Sequence, residues 1–548
     1  MRGFLLFLLL VVCVNAGLFD NFGEKIKTAL SKIKTTLNKS NLIKIREKIH
    51  ALKNKIVAKL TLTPEQKAAL AERLKKLVNI KKDHVNPKGD SIEEINDKTH
   101  IGDLLYQGDM VLTPQQADEL VAEEEGRPKR QAFRDRRYPQ TLWSSGVAYF
   151  FHPNATPEVK SVFKKGAAWW MKDTCIDFFE SAQAKDRIRV FKEDGCWSYV
   201  GRLGNEQDLS LGSGCESIGT AAHEIGHALG MFHTHSRHDR DSFITLNSQN
   251  IKPDWLDQFK KETTATNENY GITYDYGSIM HYGAQRSVVL LSLQLLIAQG
   301  YGDMFSSATM NKKPTMVPHD TNYIETLGSP FISFYELLMM NKHYGCLDKC
   351  KSTPNKCKMG GFPHPRDCSK CICPRGYGGQ FCDQKVDMRC PDTCGSILQA
   401  SATYKTLEDL VGDRNAGGQP REDYHTCTYW IVAPEGKKVE VKFVNFSKGI
   451  AVDGCVYGGV EIKTHPDPRM TGYRCYHFYL NMEFRFCAPE DAGKTLVSSS
   501  NLVPIITYNR IYATQTVLQY RFGAFKHVVL HDNLTGLLQS QKSVVQQK

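Results

Sequence analysis

The segment His223-Glu224-Ile225-Gly226-His227-Ala228-Leu229-Gly230-Met231-Phe232-His233 constrains this chain more than any other. On a helix, His223 and His227 are four apart and share one face, where two imidazole nitrogens can reach one metal ion. Glu224 takes the adjacent radial position. Gly230 permits the left-handed conformation that ends a helix, so the chain can turn there and bring in His233 as a third ligand. Three histidines leave coordination positions open, the mark of a catalytic rather than a closed structural zinc site. A zinc ion there would supply Lewis acidity, and Glu224 would take a proton from water and pass it to a leaving amine, so the expected chemistry is peptide hydrolysis.

At 548 residues the chain is too long for one ordinary core, and several domains are expected. Residues Gly3 to Val14 form an apolar run behind Arg2 that ends in Val14-Asn15-Ala16, a pattern a signal peptidase can cut. The run is short of the roughly 20 residues that span a bilayer, so export is expected and a stable membrane anchor is not. All cysteines but Cys13 fall between Cys175 and Cys487, as suits disulfides formed outside the cytosol. The formal net charge of +11 owes much to the stretch Lys25 to Lys76, where Ile26, Leu30, Ile33 and Leu37 recur at helical spacing. Export makes nucleic acid a poor partner, and the stretch is expected to be an amphipathic helical region with a solvated face rather than a membrane-binding one.

Arg127-Pro128-Lys129-Arg130 follows the acidic run Glu123 to Glu125 and has the form of a site cut by furin-like convertases. A globular pattern begins at Tyr138. Thr156-Pro157 should start a helix whose apolar face is Val159, Val162, Phe163 and Trp170; Ile188 and Val190 alternate with Arg187 and Arg189 as in a strand, and Trp197 to Gly201 can form another. From Cys350 to Cys382 short loops rich in Cys, Gly and Pro need disulfide staples, since so small a domain buries too little surface alone. Beyond Cys394, alternation such as Val439, Val441 and Phe443 with Glu440 and Lys442, and the stretch Ile505 to Leu518, predicts an all-β sandwich.

From Tyr138 to Cys346 the sequence resembles the metzincins, and specifically the astacins. Ser278-Ile279-Met280-His281-Tyr282 is similar to that family's Met-turn, and Ser236 to Asp241, Cys196 to Gly201 and Leu209 to Cys215 match further family segments. The resemblance implies that His223, His227, His233 and Tyr282 bind one zinc, that Met280 lies beneath it, and that Tyr282 swings away to stabilise the oxyanion. It also implies disulfides Cys175 to Cys346 and Cys196 to Cys215. Tyr106-Gln107-Gly108-Asp109 is similar to the latency motif of astacin precursors, which makes Asp109 the zinc-blocking group of a zymogen; taken alone, the same residues would be a plain β-turn. Thr234 departs from the family, which has Glu after the third histidine to meet the mature N-terminus. Cleavage after Arg130 would leave Gln131, which can cyclise, so a different N-terminal anchorage is expected.

Cys350, Cys357, Cys368, Cys371, Cys373 and Cys382 follow EGF-like spacing, implying pairs Cys350 to Cys368, Cys357 to Cys371 and Cys373 to Cys382. The region after Cys394 resembles a CUB domain, implying Cys394 to Cys427 and Cys455 to Cys487, with Trp430 in its core; Gly458 and Gly459 stand where calcium-binding members carry an acidic residue. Cys390 and Cys475 have no family partner. Asn38, Asn154, Asn445 and Asn533 begin N-x-S/T and can carry glycans. Two stretches, 285–304 and 475–485, interrupt the family pattern and resemble translated intron or faulty gene-model sequence, the alternative being a pair of genuine species-specific loops.

The expected organisation is a signal peptide (1–16), a pro-segment (17–130), an α+β metzincin-like catalytic domain (131–346), a disulfide-rich EGF-like module (347–383), an all-β CUB-like sandwich (394–523) and a tail (524–548). The expected function is that of a secreted zinc metalloendopeptidase, activated by a furin-like convertase and acting on extracellular or matrix protein, with cuticle collagen as the implied substrate class. The alternative is a catalytically weak protein that binds matrix through its EGF and CUB modules.

Overall fold

The computed structural model of the protein describes residues 27, 35–77, 82–124, 138–264, 267–284, 313–386, 394–447, 450–475 and 495–523. The signal-like run, Arg127 to Arg130, Gln131, the stretches 285–304 and 476–485, Cys390, Cys487 and Asn533 lie outside the described residues, so the expected Cys455 to Cys487 pair does too.

The central domain opens on a six-stranded sheet built from β1 (Met110–Val111), β2 (Val147–Phe151), β3 (Phe178–Glu180), β4 (Arg187–Phe191), β5 (Cys196–Tyr199) and β6 (Glu206–Leu211) in the order β1-β5-β6-β4-β2-β3. Strand β5 runs antiparallel to β6, while the other neighbours pair in parallel. The edge strand β1 comes from the N-terminal segment, with Met110 opposite Ser198 and Val111 opposite Tyr199.

Helix Pro157–Lys172 starts where Thr156 accepts a bond from the Val159 N–H and Pro157 supplies a preset φ. Its face of Val159, Val162, Phe163 and Trp170 is buried, as the periodicity predicts. It packs on the helix Ile218–Ala228, which is capped by Ser217. The approach is close: a Cβ on Gly166 would lie 3.0 Å from the Ala222 nitrogen, and the Trp170 indole N–H donates to the Ala222 carbonyl at 2.9 Å. A second lobe contains the pair β7 (Ile244–Leu246) and β8 (Met316–Pro318) and the helix Phe334–His343. Disulfides join Cys175 to Cys346 across the domain and Cys196 to Cys215 beside β5.

The lysine-rich stretch keeps the expected solvated face, with Lys44, Lys48, Lys55, Lys59 and Lys67 exposed, and lays its apolar face on the rest of the molecule. It forms three helices, Lys39–Ala51, Lys53–Leu60 and Pro64–Lys76, and Leu52, Ile56 and Leu60 join the second lobe's core beside Ile244, Trp255 and Phe259. Arg46 is buried with Asp257, to which it is hydrogen-bonded, so the basic face is in part an interface.

The cysteine-rich module has strands β9 (Phe362–His364), β10 (Asp367–Ile372), β11 (Tyr377–Gly378) and β12 (Gln384–Lys385), stapled by Cys350–Cys368, Cys357–Cys371 and Cys373–Cys382. The sandwich follows with β13 (Ile397–Gln399), β14 (Lys405–Gly412), β15 (His425–Val432), β16 (Lys438–Ser447), β17 (Gly458–Ile462), β18 (Tyr473–Cys475), β19 (Thr495–Val497), β20 (Leu502–Asn509) and β21 (Ala513–Gly523). One sheet is ordered β13-β15-β20-β17-β18 and the other β14-β21-β16-β19, with Cys394 bonded to Cys427. Val439, Val441 and Phe443 face the core between them.

Trp430 departs from its expected place in the core of the sandwich. Tyr429 and Ile431 take the inward positions of β15, so strand alternation turns Trp430 outward, where it packs on Tyr377 and donates to the Gly376 carbonyl at 2.8 Å. It fastens the EGF-like module to the sandwich. Arg375 of the module likewise meets buried Glu461 of β17, which also holds Arg474. The sandwich in turn rests on the central domain, where the Thr471 hydroxyl donates to Asp275 at 3.1 Å.

Candidate metal centre and active site

The helix Ile218–Ala228 carries His223, Glu224 and His227 on its buried length, and the left-handed Gly230 (φ 103°) then returns the chain so that His233 faces them. Each ring is oriented by a carbonyl that can only accept: His223 Nδ1–H donates to Ile279 O (2.7 Å), His227 Nδ1–H to Met231 O (2.7 Å) and His233 Nδ1–H to Gln107 Oε1 (2.9 Å). These bonds leave all three Nε2 lone pairs turned inward, the arrangement that metal-binding histidines use.

Asp109 occupies the middle of the triangle. Its Oδ2 lies 3.1 Å from both His223 Nε2 and His233 Nε2, and its Oδ1 lies 3.4 Å from His227 Nε2. It is presented by a tight turn: Gln107 and Gly108 have φ of 52° and 94°, and Tyr106 and Met110 exchange backbone bonds of 2.9 and 3.0 Å around it. Asn96 secures the turn by donating to Gly108 O and Cys196 O and accepting from the Cys196 N–H. The turn itself therefore places the Asp109 carboxylate among the three histidines.

Glu224 is fully buried, and neither of its carboxylate oxygens has a hydrogen bond among the described residues. Burial, and then the charge of Asp109, push its pKa well above the ordinary carboxylate range. Burial holds His233 down to about 3, so that ring is neutral. The Tyr282 hydroxyl donates to the Gln107 carbonyl at 2.8 Å, and its ring centroid lies 4.2 Å from that of His233. Met280 lies under the helix; a Cβ on Gly226 would meet its sulfur at 2.8 Å, which explains a glycine inside the motif.

Two residues to which the sequence assigned no role of their own, Gln107 and Glu336, complete the surroundings. Gln107 touches both His233 and Tyr282. Glu336, at the start of the helix Phe334–His343, accepts from the N–H groups of Ile279 (3.0 Å) and Met280 (3.1 Å) and from the Ser278 hydroxyl. Thr234 bonds Ser278 at 2.6 Å, so it joins this network through a hydroxyl. Asn38 and Asn154 are exposed, whereas Asn445 is half-buried in β16.

The donor set fits a zinc ion. His223, His227, His233 and Asp109 bring four ligand atoms within 4.8 Å of one another, all buried. His223 and His233 turn two Nε2 atoms towards each other at 3.3 Å, while His227 Nε2 and Asp109 Oδ1 have no hydrogen bond among the described residues. Buried acceptors converge in this way when a cation satisfies them.

Residues 135–299 match the model of the Astacin family of peptidases. The chain is 42% identical over 510 residues to zinc metalloproteinase nas-31 of Caenorhabditis elegans, an alignment covering 90% of this chain and 77% of that protein. It is 31% identical over 489 residues to zinc metalloproteinase nas-29 of the same nematode, covering 83% of this chain and 84% of that one. Among solved structures it is similar to high choriolytic enzyme 1, a hatching enzyme zinc-protease from the medaka fish Oryzias latipes, at 28% identity over 38% of this chain and 92% of that chain, with a TM-score of 0.31. Likeness to nas-31 over most of both chains decides the matter: this chain belongs to the astacin family and is a zinc metalloendopeptidase that uses one catalytic zinc.

Proposed function

We propose that the chain is a secreted zymogen whose N-terminal segment blocks the metal centre through Asp109 and is released by cleavage after Arg130 by a furin-like convertase. The mature enzyme then cuts extracellular or matrix proteins, cuticle collagen among them. The observation that carries this reading is the Asp109 carboxylate seated among His223, His227 and His233, with Glu224 buried beside it. The apolar run before Ala16 and the disulfide-rich C-terminal modules support export.

In the mature enzyme His223, His227 and His233 would hold the zinc; the Nδ1–H bonds of His223 to Ile279 O and of His227 to Met231 O stay with that enzyme and fix two of the rings, while the bond of His233 to Gln107 leaves with the N-terminal segment. The zinc supplies Lewis acidity for polarising a scissile carbonyl and for easing ionisation of water. Glu224 accepts the proton of the attacking water and delivers it to the leaving amine nitrogen. Release of Gln107 frees the Tyr282 hydroxyl, which would then be available to help hold the zinc and to donate to the developing oxyanion. Met280 supports the helix from below.

The test is a gelatin or casein assay on the precursor before and after convertase treatment. Activity should appear only after cleavage and vanish with a chelator. A processed, zinc-loaded protein that cuts neither substrate would favour the matrix-binding alternative.

A further inference from the structure

The N-terminal segment is gripped a second time where it passes between the central domain and the sandwich. Lys82 buries its ammonium between carboxylates of two different domains: its Nζ lies 2.7 Å from Asp453 Oδ1 of the sandwich and 2.9 Å from Glu325 Oε2 of the central domain. Burial alone would lower the lysine's pKa, but the two carboxylates raise it above its ordinary value. The next residue is gripped as well. The Asp83 N–H donates to Ala451 O at 2.8 Å, and the Asp83 carboxylate accepts from the Ala451 N–H at 2.8 Å. Lys82-Asp83 is therefore held like a short peptide ligand, by its backbone and by both side chains.

This grip adjoins the catalytic centre. Asp453 lines a cavity of about 660 Å³ that also takes in His223, Tyr282 and Gly283, and residues between Val85 and Ile95 supply another wall. The sandwich is pressed into place independently of Lys82. A Cβ on Gly283, the residue after Tyr282, would lie 2.5 Å from an Asp453 carboxylate oxygen, and one on Gly454 would lie 1.8 Å from the Gly328 carbonyl oxygen. Backbone contact at these two glycines fixes Asp453 at the wall of the cleft.

We infer that Asp453, Glu325 and the Ala451 peptide group form a substrate subsite shared between the catalytic and CUB-like domains, which takes a Lys or Arg side chain followed by an acidic residue once Lys82-Asp83 has left. The inference rests on the reading that the N-terminal segment is released. A site in which two carboxylates from two domains converge on one ammonium group beside a cleft favours a substrate that brings a cation to the place Lys82 vacates. The acidic residue that follows would repeat the bond of Asp83 to the Ala451 N–H. The latent form and the substrate thus compete for the same place.

The test uses the full chain after convertase processing and a set of quenched peptides in which a Lys-Asp pair is walked along the sequence, each paired with its Ala-Asp counterpart. At one register the Lys peptide should exceed the Ala peptide in kcat/KM by about 10- to 100-fold, chiefly through KM. In Asp453→Asn and Glu325→Gln that ratio should collapse towards one, and in Asp453→Lys it should invert in favour of a Glu-containing peptide. A ratio is unaffected by any misfolded fraction. A ratio near one at every register, or one that survives the double substitution, overturns the subsite. If processed wild type cleaves no peptide in a chelator-sensitive way, the protease reading itself has failed, and no comparison of ratios is reached.

Discussion

The Tyr282 hydroxyl donates to the backbone carbonyl of Gln107 at 2.8 Å, so the N-terminal segment holds a catalytic-domain group as well as covering the metal ligands. In the processed enzyme Tyr282→Phe should retain zinc and lower kcat by about 100-fold, as loss of one oxyanion donor does. Steady-state kinetics with zinc analysis checks this, and an unchanged kcat would remove the hydroxyl from the mechanism.

Glu224→Ala should also retain zinc, because the three histidine ligands are untouched. Its rate should fall by about 100-fold or more, the contribution of a positioned general base. His227→Ala should lose the metal instead, which metal analysis of the purified protein separates from the first case.

Asp109→Ala, made with the sequence Arg127 to Arg130 altered so that no cleavage occurs, should yield an intact precursor with measurable peptidase activity. Silence in that variant would transfer latency to the covering helices and to the β1 strand.

Arg46 and Asp257 are both buried, and Arg46 also donates to the carbonyls of Asp103 and Asp254 at 3.0 Å. Arg46→Ala takes the guanidinium from buried Asp257 and leaves the His50 ring, 3.6 Å away, beside it, and breaking a buried pair of this kind costs about 3–5 kcal/mol. The precursor should melt earlier and be nicked by trypsin within residues 35–124, whereas the processed enzyme, without Arg46, should be unaltered. Equal proteolytic resistance in wild type and variant would contradict this.

Glu461 gives a pH signature. Burial would raise its carboxyl, but Arg375 and Arg474 draw it down from 4.5 to about 2. A carboxyl depressed in the folded state contributes fully above its unfolded pKa, so this contribution is complete above pH 4.5 and is lost as pH falls towards 2. The thermal midpoint of Glu461→Gln should be lower near neutrality and vary less than wild type across that window. Parallel curves would assign the acid sensitivity elsewhere.

The sequence made the metal site legible because its ligands are local. Four residues place His223 over His227, and one glycine brings His233 back. Asp109 was legible through a short motif, although nothing in it revealed that Gln107 would engage both His233 and Tyr282. Glu336 was hidden because its partners, Ser278 to Met280, are joined to it only by the fold. Arg46 stood among lysines in a pattern typical of solvated helices, and its counter-charge lies more than two hundred residues away at Asp257. Trp430 was misplaced for a simpler reason. Its size suggested a core position, but the two-residue period of β15 had already given the inward positions to Tyr429 and Ile431.

The pairing of β1 with β5 has a mechanical consequence. While Met110 and Val111 lie against Ser198 and Tyr199, the sheet is closed at that edge. Release of the N-terminal segment, as proposed, would bare a ladder of main-chain donors and acceptors on β5, next to the three histidines, and such a rim can take up another polypeptide by adding it as a strand. A strand can be added only from a chain that is already straight. Loops, frayed ends and locally melted stretches of a target would therefore be cut before its helices or tightly wound segments, and the order in which a folded protein is dismantled would follow its own local unfolding more than its composition.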